Sequence, residues 1–123
     1  MTDMYRENLL DHARRPRHHG VLAEATHTRH EANPSCGDVI DIYLVTSSDG
    51  LIERVSFTGQ GCVISLAATS MLLDSVEGRA VADVLAMCPE DVVGLLGIEP
   101  GPMRMNCALL PLKALHRVFS HLS

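Results

Sequence analysis

Three cysteines have the settings that could do chemistry in this chain. Cys36 lies in Asn-Pro-Ser-Cys-Gly-Asp, Cys62 follows Gly-Gln-Gly, and Cys107 follows Arg-Met-Asn. They are 26 and 45 residues apart, so only a fold can bring them together. With Asp38, two residues after the first thiol, they would form a set of three sulfur ligands and one oxygen ligand. Such a set suits zinc, or iron in a cluster.

Each cysteine is predicted to lie at the junction of a loop with a regular element. Asn-Pro before Cys36 starts a turn, and two glycines free the backbone before Cys62. Cys62 then falls at a strand-to-helix junction, where a helix amino terminus favours a thiolate. Cys107 is predicted at or just before another helix start, with either Asn106 as the cap or Pro111 as the first helical residue. Two or three thiols would then lie near positive helix ends.

The fourth cysteine and the histidines carry less information. Cys88 lies between Met87 and Pro89 without a glycine or carboxylate pattern, so it is interpreted as structural, or as incidental and exposed. Of the seven histidines, His18, His19, His27 and His30 resemble weak metal pairs but are interpreted as solvated surface. His116 and His121 fall late on the last predicted helix, where histidine suits the helix dipole. A single buried cysteine is usually a small core residue, but three at element junctions favour a functional site.

Composition limits the function classes. A length of 123 residues with 46% hydrophobic residues predicts one compact domain, residues 1–123. A net charge of -5 argues against a nucleic-acid partner. The first residues are charged, which argues against a signal peptide, and no apolar run approaches the roughly 20 residues that span a bilayer. We therefore expect a cytoplasmic protein without a membrane partner, whose cysteines stay reduced.

The hydrophobic patterns predict an α+β fold, a small antiparallel sheet of about three strands packed against several helices in a single domain. The predicted strands are 25–32 at an edge, 39–45 and 51–58, with a turn at 47–50. The predicted helices are 5–14, 63–76 ending at Gly78, 81–87, 90–96 and a last helix to about residue 122. The residues expected to face the core are Ile40, Ile42, Leu44, Leu51, Val55, Phe57, Ala108, Leu112, Leu115, Phe119 and Leu122.

The motifs resemble those of the IscU/SufU-type iron–sulfur cluster scaffold family, the same domain as the amino-terminal part of NifU-like proteins. Residues 33–38, 59–65 and 104–108 resemble the family's three cysteine motifs in order. Residues 5–12, followed by 16–17 and 20–22, resemble its opening. The similarity covers nearly the whole chain, and three motifs in order make it specific.

The resemblance implies a scaffold that accepts sulfur from a cysteine desulfurase of the SufS or IscS type. It implies a transient [2Fe–2S] cluster or zinc on Cys36, Cys62 and Cys107, with delivery to apo iron–sulfur acceptor proteins. Asp38 would be the fourth ligand or the group that keeps the cluster labile. Cys107, or alternatively Cys62, would be the persulfide acceptor. We expect a monomer or weak dimer.

The chain departs from both branches of that family. Asn106 stands where the IscU branch commonly has histidine, and residues 99–103 do not match its chaperone-recognition segment, so that chaperone is not expected as a partner. Arg104 and Ala108 resemble the SufU branch, yet the long insertion of that branch between the second and third cysteines is missing. The chain is thus SufU-like at its site and IscU-like in length.

Two alternatives to the scaffold stay open. The first is a zinc-dependent sulfurtransferase of the SufU kind, an enzyme-like role in which Arg104 would pair with Asp38 or with a freed thiolate. The second is a structural zinc domain, which the aspartate ligand disfavours because structural zinc sites use closed Cys/His sets.

Overall fold

The computed structural model describes residues 2–34 and 37–120. Five helices and three strands follow one another in the order α1 (Thr2–Arg14), β1 (His27–Asn33), β2 (Asp38–Thr46), β3 (Ile52–Gln60), α2 (Val63–Val76), α3 (Val81–Leu85), α4 (Pro89–Leu96) and α5 (Pro102–Phe119). The strands form one antiparallel sheet in the order β1-β2-β3. The predicted α+β class and sheet are confirmed. No helix within the described residues is long and apolar enough to cross a membrane.

The sheet buries one face against the helices. Along β2, the alternating side chains of Ile40, Ile42 and Leu44 are fully buried, as their period of two predicts. The helix α5 packs against α2 and β1, and α2 is buried along most of its length. The predicted bounds of α2 and its end at Gly78, which has a φ of 88°, are confirmed.

One expectation for β3 is wrong. Leu51 was expected to face the core, but it is 43% exposed, whereas Ile52 is fully buried. The register shifts at this point, where Val45 pairs with Arg54 and Thr46 pairs with Ile52. Glu53 is therefore the extra residue of a β-bulge, and a bulge reverses the alternation of side chains on one side of it.

The expected start of the last helix is also wrong. The helix α5 begins at Pro102, so Cys107 lies in its second turn and Pro111 lies inside it. Proline suits the first helical position, which Pro102 occupies. Pro111 is tolerated further along at the loss of one hydrogen bond, because its nitrogen cannot donate to the carbonyl four residues back. Cys107 therefore does not lie at a helix amino terminus, and the thiolate-favouring effect expected there does not apply to it.

The remaining helices and strands differ from the predicted ones only by a few residues. The strand β1 is an edge strand as predicted, α3 ends two residues earlier than expected, and α4 includes Pro89. Cys88 is exposed and is the N-cap of α4, where its backbone N–H donates to Asp91 Oδ2 at 2.9 Å. Its structural role is therefore that of a helix cap. The prediction for Leu122 lies outside the described residues.

Candidate metal centre

Three elements meet where the sequence predicted a metal site. Asp38 is the first residue of β2, Cys62 is the N-cap of α2, and Cys107 lies on α5. One ligand atom from each of the three lies within 4.8 Å of the others. The fourth predicted ligand, Cys36, lies outside the described residues. Among the described residues on either side of it, Gly37 N–H donates to the carbonyl of Asn33 at 2.9 Å.

Asp38 places a carboxylate in the interior with one oxygen unsatisfied. Its side chain is 1% exposed, and Oδ1 accepts the backbone N–H of Cys62 at 2.9 Å. Oδ2 is buried and has no hydrogen-bond partner within the described part of the chain. A buried carboxylate oxygen without a partner is costly, and a bound cation would remove that cost. Together with two thiols, this donor set fits zinc or iron.

Two glycines leave room for the site. A Cβ at Gly61 would lie 2.6 Å from Asp38 Oδ1 and would also collide with Ser65 Oγ. A Cβ at Gly59 would collide with the backbone of Val39. Neither glycine has a positive φ, so the expectation that they free the backbone is wrong. They are needed because a side chain there would fill the space beside the aspartate and the neighbouring strand.

Cys62 has the electrostatic setting that its position predicted. Burial favours its neutral thiol, and the nearby charge of Asp38 acts in the same direction. Hydrogen bonds from the backbone of Ser65, from the Cys107 side chain and from the backbone of Ile64 outweigh them. The pKa of Cys62 therefore lies below the usual value of a thiol. The side chain is partly exposed, so its sulfur can be reached from solvent.

Cys107 is held differently. It is fully buried, and the side-chain amide of Asn33 donates to its sulfur at 3.9 Å. From its place before Pro34, Asn33 was expected only to start the turn before Cys36, and its contact with Cys107 was not predicted. The sequence shows only two polar residues at a spacing of two, Glu31 and Asn33, and their burial on β1 is visible in the structure alone.

Arg104 faces the thiols. A hydrogen bond with the Cys62 side chain and the charge of that sulfur raise the pKa of Arg104, and Cys107 adds a smaller effect of the same sign. Its guanidinium is exposed, on the first turn of α5. Arg104 thus lies beside the Cys62 side chain, and its pairing with a freed thiolate or with Asp38 stays a prediction.

The family model described as "NifU-like N terminal domain" matches residues 4–121.

The chain belongs to this family. One relative, the zinc-dependent sulfurtransferase SufU of Bacillus subtilis (strain 168), is 30% identical over an alignment covering 95% of this chain and 90% of that protein. The iron–sulfur cluster assembly scaffold protein IscU of Streptococcus pyogenes serotype M1 is 34% identical, with coverage of 94% and 82%. The protein of the same name from Aquifex aeolicus (strain VF5) is 35% identical, with coverage of 94% and 74%.

Solved structures share the fold of this NifU-like domain. The putative iron–sulfur cluster assembly scaffold protein for the SUF system from Fervidobacterium islandicum AW-1 superposes with a TM-score of 0.80 at 24% identity, covering 91% of this chain and 93% of that one. A NifU-like amino-terminal domain from Brucella abortus gives a TM-score of 0.77 at 20% identity, with coverage of 98% and 94%. At these identities the likeness concerns the fold.

Proposed function

We propose that this member of the NifU-like family is an iron–sulfur cluster assembly scaffold. It accepts sulfur from a cysteine desulfurase, assembles a transient [2Fe–2S] cluster on Cys36, Asp38, Cys62 and Cys107, and passes it to apo iron–sulfur proteins. Relatives that carry the name of such a scaffold align with almost the whole chain. The cluster is the cargo of this function rather than a resident cofactor.

The observation that carries the proposal is the convergence of Asp38, Cys62 and Cys107 within 4.8 Å. Thiolates are the usual ligands of such clusters. The buried, unpartnered Oδ2 of Asp38 supports a cation at this point. The hydrogen bond from the backbone of Cys62 holds the other oxygen, so the carboxylate is oriented before any metal arrives.

The burial of Cys62 and Cys107 affects which of the two thiols can receive sulfur first. Cys107 is the proposed persulfide acceptor, but it is fully buried, whereas Cys62 is partly exposed. Because a thiolate must reach the terminal sulfur of a donor persulfide, burial favours Cys62 for the first contact. The cationic Arg104 beside Cys62 would stabilise either the thiolate or the persulfide anion that replaces it.

A zinc-dependent sulfurtransferase is the second candidate. It is supported by the 30% identity with the Bacillus subtilis protein of that name and by the placement of Arg104 beside the thiols. In this case Cys36, Asp38, Cys62 and Cys107 would hold zinc, which would keep the thiolates deprotonated at neutral pH. The same residues would serve both functions, so the donor set does not separate them.

Anaerobic reconstitution tests the proposal. The protein is purified without oxygen and its metal content is measured. It is then incubated with a cysteine desulfurase, cysteine and ferrous iron, and the absorption spectrum is followed before and after adding an apo-ferredoxin. The scaffold requires visible charge-transfer bands that pass to the ferredoxin. One tightly held zinc per chain, no cluster and a faster desulfurase would instead establish the sulfurtransferase.

Serine variants then locate the sulfur. Persulfides are trapped by alkylation after incubation with the desulfurase and cysteine, and the modified peptides are found by mass spectrometry. Cys62→Ser and Cys107→Ser are compared with Cys88→Ser, because Cys88 is exposed at the N-cap of α4 and is not among the three clustered ligands. Unfolding of Cys107→Ser would support a structural zinc domain, and persulfide at Cys88 alone would contradict the proposed site.

A further inference from the structure

A groove runs along α5, starting beside the metal centre. It has a volume of about 620 Å³ and lies between the end of β1, the first residue of α4 and the face of α5 from Asn106 to Arg117. One end adjoins the metal centre, because Asn33 lines the groove and its amide also donates to Cys107. This volume is within the range of small-molecule binding sites.

The charge of the groove is opposite to that of the chain. The whole chain has a net charge of -5, yet Lys113 and Arg117 line the groove and no acidic residue does so among the described residues. Arg117 contacts the buried Glu31 at 2.5 Å, and Arg29 contacts the same carboxylate at 3.2 Å. Because two guanidinium groups share one carboxylate, the local charge stays positive.

The basic wall is held in place by these contacts. The second carboxylate oxygen of Glu31 fixes Arg117, and Nε2 of His116 donates to the carbonyl of Val84 at 3.0 Å. Lys113 is exposed and has no ion pair with any described residue. Its ammonium is therefore the group available to an incoming anion, and a preorganised wall lowers the entropy cost of binding.

The remainder of the groove is mainly apolar. Pro34, Pro89, Leu109, Leu110 and Leu112 line it. The distance along α5 from Asn106, at the metal-centre end, to Lys113 is about 10 Å for seven residues of helix. A ligand that fills this space needs an apolar body of that length and a negative charge at one end. A bare inorganic anion would leave the apolar walls in contact with water.

We propose that this groove binds a small carboxylic acid with an apolar body, whose carboxylate pairs with Lys113 and Arg117. The apolar part lies along the leucines of α5 and ends beside Asn33 and Asn106. Such a ligand would contact the side chain that donates to Cys107, so it would adjoin the metal centre without using its ligands. The site is distinct from the cluster-binding function and does not depend on it.

The chain offers a direct probe, because Lys113 is its only lysine. Metal-free protein labelled with ¹⁵N and ¹³C only in lysine gives signals from a single residue. Octanoate is titrated into it, below the concentration at which it forms micelles, alongside octanamide and acetate. We expect octanoate to shift the Lys113 signals with saturation, and octanamide and acetate to bind at least about tenfold more weakly, since one lacks the charge and the other the apolar body.

A substitution of Lys113 tests whether octanoate binds in this groove. Lys113→Gln should weaken octanoate binding by about tenfold, as measured by calorimetry. Arg6→Gln removes an exposed charge of α1, which does not line the groove, and should leave the affinity unchanged. Equal binding of octanamide and octanoate, unshifted Lys113 signals, or an equal loss in both variants would overturn the proposal. Cluster assembly is absent from this experiment, so its failure would not affect the proposed scaffold function.

Discussion

The substitution Gly61→Ala tests whether the space beside Asp38 is needed for metal binding. The added Cβ would lie 2.6 Å from Asp38 Oδ1 and would also collide with Ser65 Oγ. Ser65 is fully buried and Asp38 is 1% exposed, so neither side chain can move freely into solvent. The carboxylate must therefore shift, and its hydrogen bond with Cys62 must lengthen or break.

The expected effect is on metal affinity first. Disturbing a group that orients a metal ligand typically costs about tenfold to hundredfold in affinity, or about 1.4–2.8 kcal/mol. Zinc affinity is measured by competition with a chromophoric chelator, on metal-free protein at constant pH. Overpacking a filled site also costs about 1–3 kcal/mol of stability, so thermal unfolding of the metal-free variant is recorded beside it.

Gly94→Ala is the matched control. Gly94 lies inside α4, and a Cβ there would meet no atom within 4 Å. Alanine is a better helix former than glycine by about 1 kcal/mol, so this variant should be as stable as the original protein or slightly more so, with unchanged zinc affinity. Unchanged zinc affinity in a folded Gly61→Ala protein would refute the argument that this glycine makes room for the ligand set.

Three further predictions concern separate parts of the chain. Asp38→Asn keeps the shape of the buried side chain without its charge. Zinc affinity, measured by chelator competition, should therefore fall by at least about tenfold. The metal-free protein should become no less stable in thermal unfolding. Gly97→Ala should destabilise the protein by at least about 1–2 kcal/mol, because this C-cap has a φ of 74° and a Cβ there would collide with the Tyr5 ring. Denaturant unfolding measures the loss of stability, and an unchanged midpoint would contradict the prediction. Burial, with a contribution from Arg17, lowers the pKa of His12 from its model-peptide value of 6.5, so the folded state binds that proton more weakly than the unfolded state. The contribution of the neutral His12 side chain to stability is present above pH 6.5 and is lost as the pH falls through the lowered pKa. His12→Asn should reduce the loss of stability between about pH 7.5 and 5.5, and equal slopes in denaturant unfolding would count against this.

Local sequence patterns were sufficient for several elements. The long uncharged segment after Cys62 gave the bounds of α2 correctly, because a helix buried on most sides needs apolar and small residues all round. The alternation in β2 was equally clear, because its apolar residues recur at every second position from Ile40 to Leu44. Both signals depend only on residues close together in the chain.

Patterns failed where a distant partner changed the geometry. The position of Leu51 could not be read from alternation, because the bulge depends on pairing with β2. The start of α5 was misplaced because proline is compatible both with a helix start and, when packing compensates the lost hydrogen bond, with a helix interior. The burial of Pro111 in α5 shows that packing decided between the two.

The features of the candidate metal centre also differ in whether local sequence or tertiary packing determines them. The sequence by itself determined which side chains are candidate ligands, the family of the chain and the helix-terminal setting of Cys62, because these depend on residue identity and short spacing. Only the tertiary structure decided that Cys107 is buried under Asn33 while Cys62 remains partly exposed, and that Arg104 faces the thiols. These facts depend on how β1, α2 and α5 pack together. Packing is a property of residues far apart in the chain, which no local spacing encodes.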